Sequence, residues 1–107
     1  MKDKLLEIIS FYGIYKQLKY IHSEYFELDE AVIDAEHNRY IGIIRKPGER
    51  AINDIAEEIA DVTCMLKQFQ YYYGISDEEI EKIMNEKIDR QLDRIKNEKT
   101  MRKWMKQ

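Results

Sequence analysis

The sequence predicts an all-α fold: an antiparallel bundle of four helices, one short and three long, with a long loop between helices two and three. Apolar residues recur at steps of three and four along most of the chain, which is the period of a helix that buries one face. The chain has only four Gly and one Pro, and 36% of its 107 residues are charged, as is typical of helices with solvated outer faces. The length is that of one domain, so we expect residues 1–107 to form a single all-α domain.

A glycine separates the first two predicted helices. Residues 3–12 carry apolar side chains at helical spacing and are followed by Gly13, which predicts a short first helix. The next apolar stripe advances by alternating steps of four and three, and it predicts a second helix over residues 14–36. The segment 37–49 breaks this pattern with two Gly and one Pro, so we expect a long ordered loop there.

The third and fourth helices have clear boundaries in the sequence. An apolar stripe runs from Ile52 to Tyr73, and Gly74 is expected to close the third helix. Ser76 and Glu79 have the spacing of a capping box, in which a serine and a glutamate each bind a backbone N–H of the other at a helix start. This motif predicts that the fourth helix begins directly after Ser76.

Composition excludes several classes of function. The formal net charge of -3 gives no general attraction for nucleic acid, so we expect no nucleic-acid partner. No apolar run of 18 residues and no signal-peptide pattern occurs, so we expect no membrane association and a cytoplasmic location. Cys64 is the only cysteine, which rules out an internal disulfide and a cysteine-based zinc site. We interpret Cys64 and His22 as packing residues.

Two acidic doublets are the candidate functional residues. Glu24 and Glu27 lie in the second predicted helix, and Glu58 and Asp61 lie in the third. Each doublet has i, i+3 spacing, which places two carboxylates on one side of its helix. Spacing alone is weak evidence in a chain with 21 acidic residues. The positions of the doublets relative to the apolar stripes are more specific.

Helical geometry predicts that the two doublets meet. At 100° per residue, Glu24 and Glu58 each lie roughly 70° from the middle of the apolar stripe of their own helix, and Glu27 and Asp61 each lie roughly 130° away in the same direction. Equal offsets of the same sense lie on one side of an antiparallel helix pair. At 1.5 Å per residue, the doublets are also at similar heights, roughly 14 Å and 12 Å from the connecting loop. We therefore expect four carboxylates to converge.

Four converging carboxylates repel one another unless protons or cations neutralise them. Hard divalent cations prefer oxygen ligands of this kind, so the doublets predict a Mg²⁺ site, with Mn²⁺ as an acceptable substitute. The alternative is a solvated acidic face that is paired with Lys and Arg. The match in offset and height favours the metal site.

The doublets and their surroundings resemble a known family. The first doublet lies in the sequence EYFEL at residues 24–28, and the second lies in EEIADV at residues 57–62. This arrangement resembles the MazG-like all-α nucleoside triphosphate pyrophosphohydrolases, whose signature is ExxE on one helix and ExxD on the next, followed by a helix with basic residues. The resemblance extends from about residue 14 to residue 94. One departure is Ser23, where many members have another glutamate.

The resemblance implies a function and a set of site residues. It implies Mg²⁺-dependent hydrolysis of a nucleoside or deoxynucleoside triphosphate between the α and β phosphates, which gives a monophosphate and pyrophosphate. It also implies a homodimer or homotetramer. The implied catalytic residues and metal ligands are Glu24, Glu27, Glu58 and Asp61.

Basic residues on the fourth helix are candidate phosphate ligands. Lys87, Arg90 and Arg94 follow i, i+3 and i+7 spacing and lie on one helix face. By the resemblance, Lys87 and Arg90 bind the phosphates of the substrate. The alternative is ordinary pairing with acidic neighbours on a solvated face.

Four further residues near the doublets are additional candidates. Asp34 and Asp54 lie on the same sides of their helices as the doublets, where they would widen the site, hold a second ion or simply face solvent. Tyr20 and Phe26 lie close to the first doublet, where they are candidates for contact with a base.

Two functions of different classes remain open from the sequence. The leading hypothesis is the nucleotide pyrophosphohydrolase. The alternative is a non-catalytic helical oligomerisation or interaction module with an acidic face, because heptad-like stripes also suit partner binding. In either case we expect a homo-oligomer, since the apolar stripes and the Tyr and Met content exceed what one bundle can cover.

Overall fold

The computed structural model describes the backbone of residues 1–40 and 48–106 and the side chains of residues 1–37 and 48–106. The described residues form four α-helices and no strand, which confirms the predicted all-α fold class. One helix has 11 residues and the others have 27, 24 and 29, as expected for one short and three long helices. In chain order, the helices are α1 (Lys2–Tyr12), α2 (Ile14–Tyr40), α3 (Glu49–Tyr72) and α4 (Asp77–Met105).

Helix α2 extends beyond its predicted end. It continues through His37 to Tyr40, and α3 begins at Glu49, so the predicted loop over 37–49 is too long at both ends. The physical reason is that Gly and Pro first appear after residue 40, and nothing in the preceding residues opposes helix. The rest of the predicted loop, residues 41–47, lies outside the described residues.

Two glycines and one serine set the helix boundaries. Gly13 has φ 89° and Gly74 has φ 69°, a region of backbone conformation that residues with a Cβ rarely adopt. Both therefore allow the chain to turn directly after a helix. The Ser76 hydroxyl accepts a hydrogen bond from the backbone N–H of Glu79 at 3.1 Å, as the predicted capping box requires. Three acidic residues in the first turn of α4 further stabilise its positive end.

Helices α2 and α3 run antiparallel. Gln17, near the start of α2, contacts Gln68, near the end of α3. Asp34, near the end of α2, shares a depression with Asp54, near the start of α3. Helix α1 packs against both of them. The interior of this unit is built from apolar side chains of three helices together with two glutamines: Leu5, Ile9, Gln17, Ala35, Met65, Gln68 and Tyr71.

The described residues form two compact units, Met1–Gly74 and Ile75–Gln107. The first contains α1, α2 and α3, and the second contains α4. No residue of α4 is buried, and its large apolar side chains are largely exposed. The expectation of one domain over 1–107 remains a prediction. No helix in the described ranges is long and apolar enough to cross a membrane.

The contact between α2 and α3 is rotated away from the middle of the predicted apolar stripes. One row of the stripes is exposed, with relative exposures between 41% and 64%. The members of this row recur at intervals of seven residues on each helix. We call them the exposed apolar row: Leu18, Tyr25, Val32, Ile52, Ile59 and Leu66. The rotation turns this row outward and brings the acidic side of both helices towards their contact.

Candidate metal centre and adjoining cavity

The structure brings both acidic doublets together. Glu24, Glu27, Glu58 and Asp61 each offer one carboxylate oxygen, and these four oxygens all lie within 4.8 Å of one another. We call these residues the acidic cluster. Helix α2 supplies the first doublet and α3 supplies the second, on one side of the antiparallel pair. The predicted convergence of the carboxylates is confirmed, and their roles in metal binding and catalysis remain predictions.

Burial within the acidic cluster follows the helical offsets. Glu24 and Glu58, roughly 70° from the stripe, are partly buried, whereas Glu27 and Asp61, roughly 130° away, are exposed. One oxygen of each partly buried residue, Glu24 Oε2 and Glu58 Oε2, is buried without a hydrogen-bond partner. A solvated acidic face paired with Lys and Arg does not account for these two oxygens.

The electrostatics of the cluster favour binding of protons or cations. Desolvation raises the pKa of the Glu24 carboxyl above its ordinary value of 4.5, and the charges of Glu27 and Asp61 raise it further. Desolvation also raises the pKa of Glu58, again followed by the charges of Glu27 and Asp61. Buried polar atoms are nearly always hydrogen-bonded or bound to an ion. Four carboxylates with two unpartnered buried oxygens are a donor set that fits a hard divalent cation.

A cavity of about 450 Å³ adjoins the acidic cluster. Its volume is within the roughly 300–1,000 Å³ of typical small-molecule sites. Residues of α1, α2 and α3 line it, and Glu24 and Asp61 of the cluster contribute to its wall. The other lining residues are Ile8, Tyr12, Lys16, Gln17, Tyr20, Cys64, Met65 and Gln68.

Two buried glutamines connect α2 and α3 in the wall of this cavity. Gln17 is 5% exposed and Gln68 is 3% exposed. The Gln17 Nε2 amide donates a hydrogen bond to Gln68 Oε1 at 2.8 Å, and Gln68 Nε2 donates to Met65 Sδ at 3.7 Å. Sequence reasoning missed both glutamines. A signal was present, because Gln17 lies seven residues before Glu24 and Gln68 lies seven residues after Asp61, which places them on the same helix faces.

The cavity changes the interpretation of several other residues. Tyr20 lines it, whereas Phe26 does not. Cys64 is exposed and lines the cavity, and His22 is exposed, so the interpretation of both as packing residues is wrong. They lie outside the rotated contact between α2 and α3. Lys16, which sequence reasoning did not single out, also lines the cavity, and its ammonium lies 5.1 Å from the centre of the Tyr12 ring.

The remaining candidates lie elsewhere. Lys87, Arg90 and Arg94 line one groove of about 140 Å³ on α4, and all three are exposed. Their shared face is confirmed, and their contact with phosphate remains a prediction. Asp34 and Asp54 line a separate depression and are not part of the acidic cluster.

Comparison with known proteins identifies no family: no family model, no curated protein and no solved structure matches this chain. The resemblance to the MazG-like hydrolases therefore depends on the residues of the two doublets and their positions.

Proposed function

We propose that this chain is a Mg²⁺-dependent hydrolase that converts a nucleoside or deoxynucleoside triphosphate into the monophosphate and pyrophosphate. The observation that carries the proposal is the acidic cluster, with one oxygen from each residue within 4.8 Å of the others and two buried oxygens that have no partner. A cavity large enough for a small molecule adjoins it. The resemblance of both doublets to the MazG-like motif supports the same reaction.

The acidic cluster would hold the cation through its four carboxylates. Bound there, Mg²⁺ or Mn²⁺ supplies charge neutralisation for phosphate oxygens and lowers the pKa of water. A carboxylate oxygen of the cluster that is not bound to the cation would accept a proton from the attacking water.

Basic residues would bind the phosphate groups. Lys16 lines the cavity that the acidic cluster borders, and its ammonium would pair with a phosphate oxygen. The groove of Lys87 and Arg90 on α4 presents two further cations on one helix face. By the resemblance, we propose that these two residues bind phosphate groups of the substrate.

We also propose that the chain functions as a homodimer or homotetramer. The exposed apolar row covers one side of two long helices, and contiguous apolar surface of this kind is typical of subunit contacts. A second copy would cover the row with its own row, as in a two-fold symmetric interface. A lone cysteine and a nucleotide substrate are in keeping with a cytoplasmic location.

Pyrophosphate release from a panel of nucleoside triphosphates tests the proposed reaction. The protein should release pyrophosphate in the presence of Mg²⁺ or Mn²⁺, and EDTA should abolish the release. The same panel should give no orthophosphate, because cleavage is between the α and β phosphates. If no nucleotide of the panel gives Mg²⁺-dependent pyrophosphate release, the proposal is wrong.

The second candidate function is the non-catalytic helical interaction module. The exposed apolar row and the exposed apolar side chains of α4 favour it, because both are available to a partner helix. An interaction module should form a stable helical assembly and leave nucleotides intact. The pyrophosphate assay therefore discriminates between the two functions.

A further inference from the structure

The cavity beside the acidic cluster has a polar floor and aromatic walls. The floor is the hydrogen-bonded pair of Gln17 and Gln68, and the walls include the rings of Tyr12 and Tyr20. Tyr20 is about half exposed, and its ring surface is available to a ligand. Tyr12 is exposed to a similar degree, but its ring already contacts the Lys16 ammonium, 5.1 Å from the ring centre, and the ring of Phe11. A cavity with aromatic side chains and amide hydrogen-bonding groups in its wall suits a heteroaromatic ring with polar edges.

The amide pair has hydrogen-bonding capacity left over. A glutamine side chain has two N–H donors and an oxygen with two lone pairs. Gln17 Nε2 donates to Gln68 Oε1 at 2.8 Å and to Met65 Sδ at 3.9 Å, and Gln68 Nε2 donates to Met65 Sδ at 3.7 Å. These bonds leave the Gln17 oxygen and one N–H of Gln68 in the wall of the cavity. An amide oxygen and an amide N–H are the two groups that bind the edge of a base through a pair of hydrogen bonds, and here two facing glutamines supply one group each.

Burial of two amides between helices costs folding free energy, so a purely structural role does not explain why glutamines occupy these positions. Apolar residues of similar volume would pack at these positions without the desolvation of polar groups. The pair is also well placed along the helix. Gln17 lies seven residues before Glu24, which is roughly 10 Å along the axis of α2 at 1.5 Å per residue. A nucleoside spans a comparable distance from the edge of its base to its 5′ oxygen.

We infer that the cavity binds the nucleobase of the substrate and that the Gln17–Gln68 pair is the specificity-determining element that selects the base. This inference rests on the proposed function and deepens it. With the base against the two amides, the 5′ end of the nucleotide faces the acidic cluster, and Lys16 is a further lining residue of the same cavity. A base whose edge matches the amides replaces their bonds to water, and a mismatched base leaves buried polar groups unpaired.

An NMR titration of the wild-type protein tests the inference without any variant. The probes are adenosine, guanosine, cytidine, uridine and thymidine, each without a divalent cation, and inorganic tripolyphosphate with Mg²⁺. At least one nucleoside should shift the side-chain NH₂ signals of Gln17 and Gln68. Tripolyphosphate should leave both signals unchanged. The reference is the NH₂ signal of Gln70, which lies on α3 but does not line the cavity.

Kinetics of variants provide the second test. Gln17→Leu and Gln68→Leu should raise KM for the preferred nucleotide and lower its kcat/KM by about tenfold or more, as expected for the loss of a buried hydrogen bond to a ligand. They should change kcat/KM for the poorer nucleotides much less, so discrimination between bases is lost. The matched control Gln70→Leu should preserve discrimination. A purely structural role of the pair would lower thermal stability and leave the ratio between nucleotides unchanged.

The two tests separate this inference from the proposed function. If the protein hydrolyses nucleotides but none of the five nucleosides shifts the NH₂ signals of Gln17 and Gln68, the inference is wrong and the proposed function stands. Shifts of equal size at Gln70 also overturn it, because they indicate non-specific association. A protein that releases no pyrophosphate overturns the hydrolase assignment and, with it, the assignment of the cavity to a substrate base. Selective shifts at Gln17 and Gln68 together with lost discrimination in the variants support both.

Discussion

The substitution Asp61→Asn tests whether the acidic cluster exists to bind a cation. Asn keeps the shape and most of the hydrogen-bonding capacity of Asp but removes one negative charge. An oxygen of Asp61 lies within 4.8 Å of an oxygen of each other member of the cluster. Two unit charges at that separation repel by about 1 kcal/mol in a water-like dielectric. Because Asp61 is exposed, this screened value is the appropriate one.

Without metal, the variant should therefore be as stable as the wild type or more stable, by up to about 1 kcal/mol for each of the three neighbouring carboxylates that is ionised. For a domain of this size, each 1 kcal/mol corresponds to a rise in Tm of about 5 °C. With Mg²⁺ the order should reverse. A cation at 100 times its Kd adds about 2.7 kcal/mol to the free energy of unfolding, and the variant with one carboxylate fewer should gain less. Pyrophosphate release should fall together with the metal affinity.

The assay consists of thermal melts with and without Mg²⁺ and a measurement of pyrophosphate release. The matched control is Asp54→Asn, an exposed aspartate on the same helix that is not part of the acidic cluster. The control should stay within about 0.5 kcal/mol of the wild type under both conditions. Loss of metal-free stability in Asp61→Asn would indicate a structural ion pair. Wild-type pyrophosphate release by the variant would refute a catalytic role for Asp61.

Four further predictions concern the cluster, the helices and the assembly. Because the folded state binds protons at the two partly buried glutamates more tightly than the unfolded state does, the metal-free free energy of unfolding should fall as pH rises above their ordinary value of 4.5. Mg²⁺ should reduce this fall, and an identical pH profile with and without Mg²⁺ would contradict the reasoning. Ser76→Ala removes the hydroxyl that accepts the Glu79 N–H, and it should lower the stability of α4 by about 1 kcal/mol in melts followed by circular dichroism, whereas an unchanged melt would refute the cap. Lys87→Ala and Arg90→Ala should each raise KM for the nucleotide about tenfold and leave the Mg²⁺ stabilisation unchanged, and an unaltered KM would exclude phosphate binding by that residue. Ile59→Lys in the exposed apolar row should shift the mass measured by light scattering towards the monomer, and a wild-type protein that is already monomeric at micromolar concentration would refute the oligomer.

Helical periodicity predicted the acidic cluster. The convergence of its four carboxylates depends only on their angle around each helix axis and on their height along it. The offsets of roughly 70° and 130° place both doublets on one side of an antiparallel pair, and the same offsets account for their burial. Glu24 and Glu58 are partly buried, whereas Glu27 and Asp61 are exposed. Local geometry therefore sufficed for this part of the site.

The rotation of α2 against α3 could not be predicted in this way. Some positions of an apolar stripe pack against the neighbouring helix, and others stay exposed until a further helix or subunit covers them. Hydrophobicity alone does not distinguish the two kinds of position. Leu18 and Ile59 belong to the stripes but are about half exposed. Gln17 and Gln68 were missed because the interior was predicted from apolar residues alone. A polar residue at a helix contact is not part of an apolar stripe.

The rotation itself is evidence about function. A helix pair that served stability alone would bury the exposed apolar row and leave carboxylates and amides in water, since burial of apolar area stabilises and burial of polar groups is costly. In this structure the polar side of α2 and α3 is turned towards their contact instead, with two unpartnered glutamate oxygens and two buried glutamines. A cation at the cluster, a ligand in the cavity and a second copy on the apolar row would each offset part of this cost. The proposals are therefore coupled: a wild-type protein that binds Mg²⁺ and nucleotide should be measurably more stable as an oligomer than as a dilute monomer, and thermal melts over a range of protein concentrations with both ligands present would show whether Tm rises with concentration.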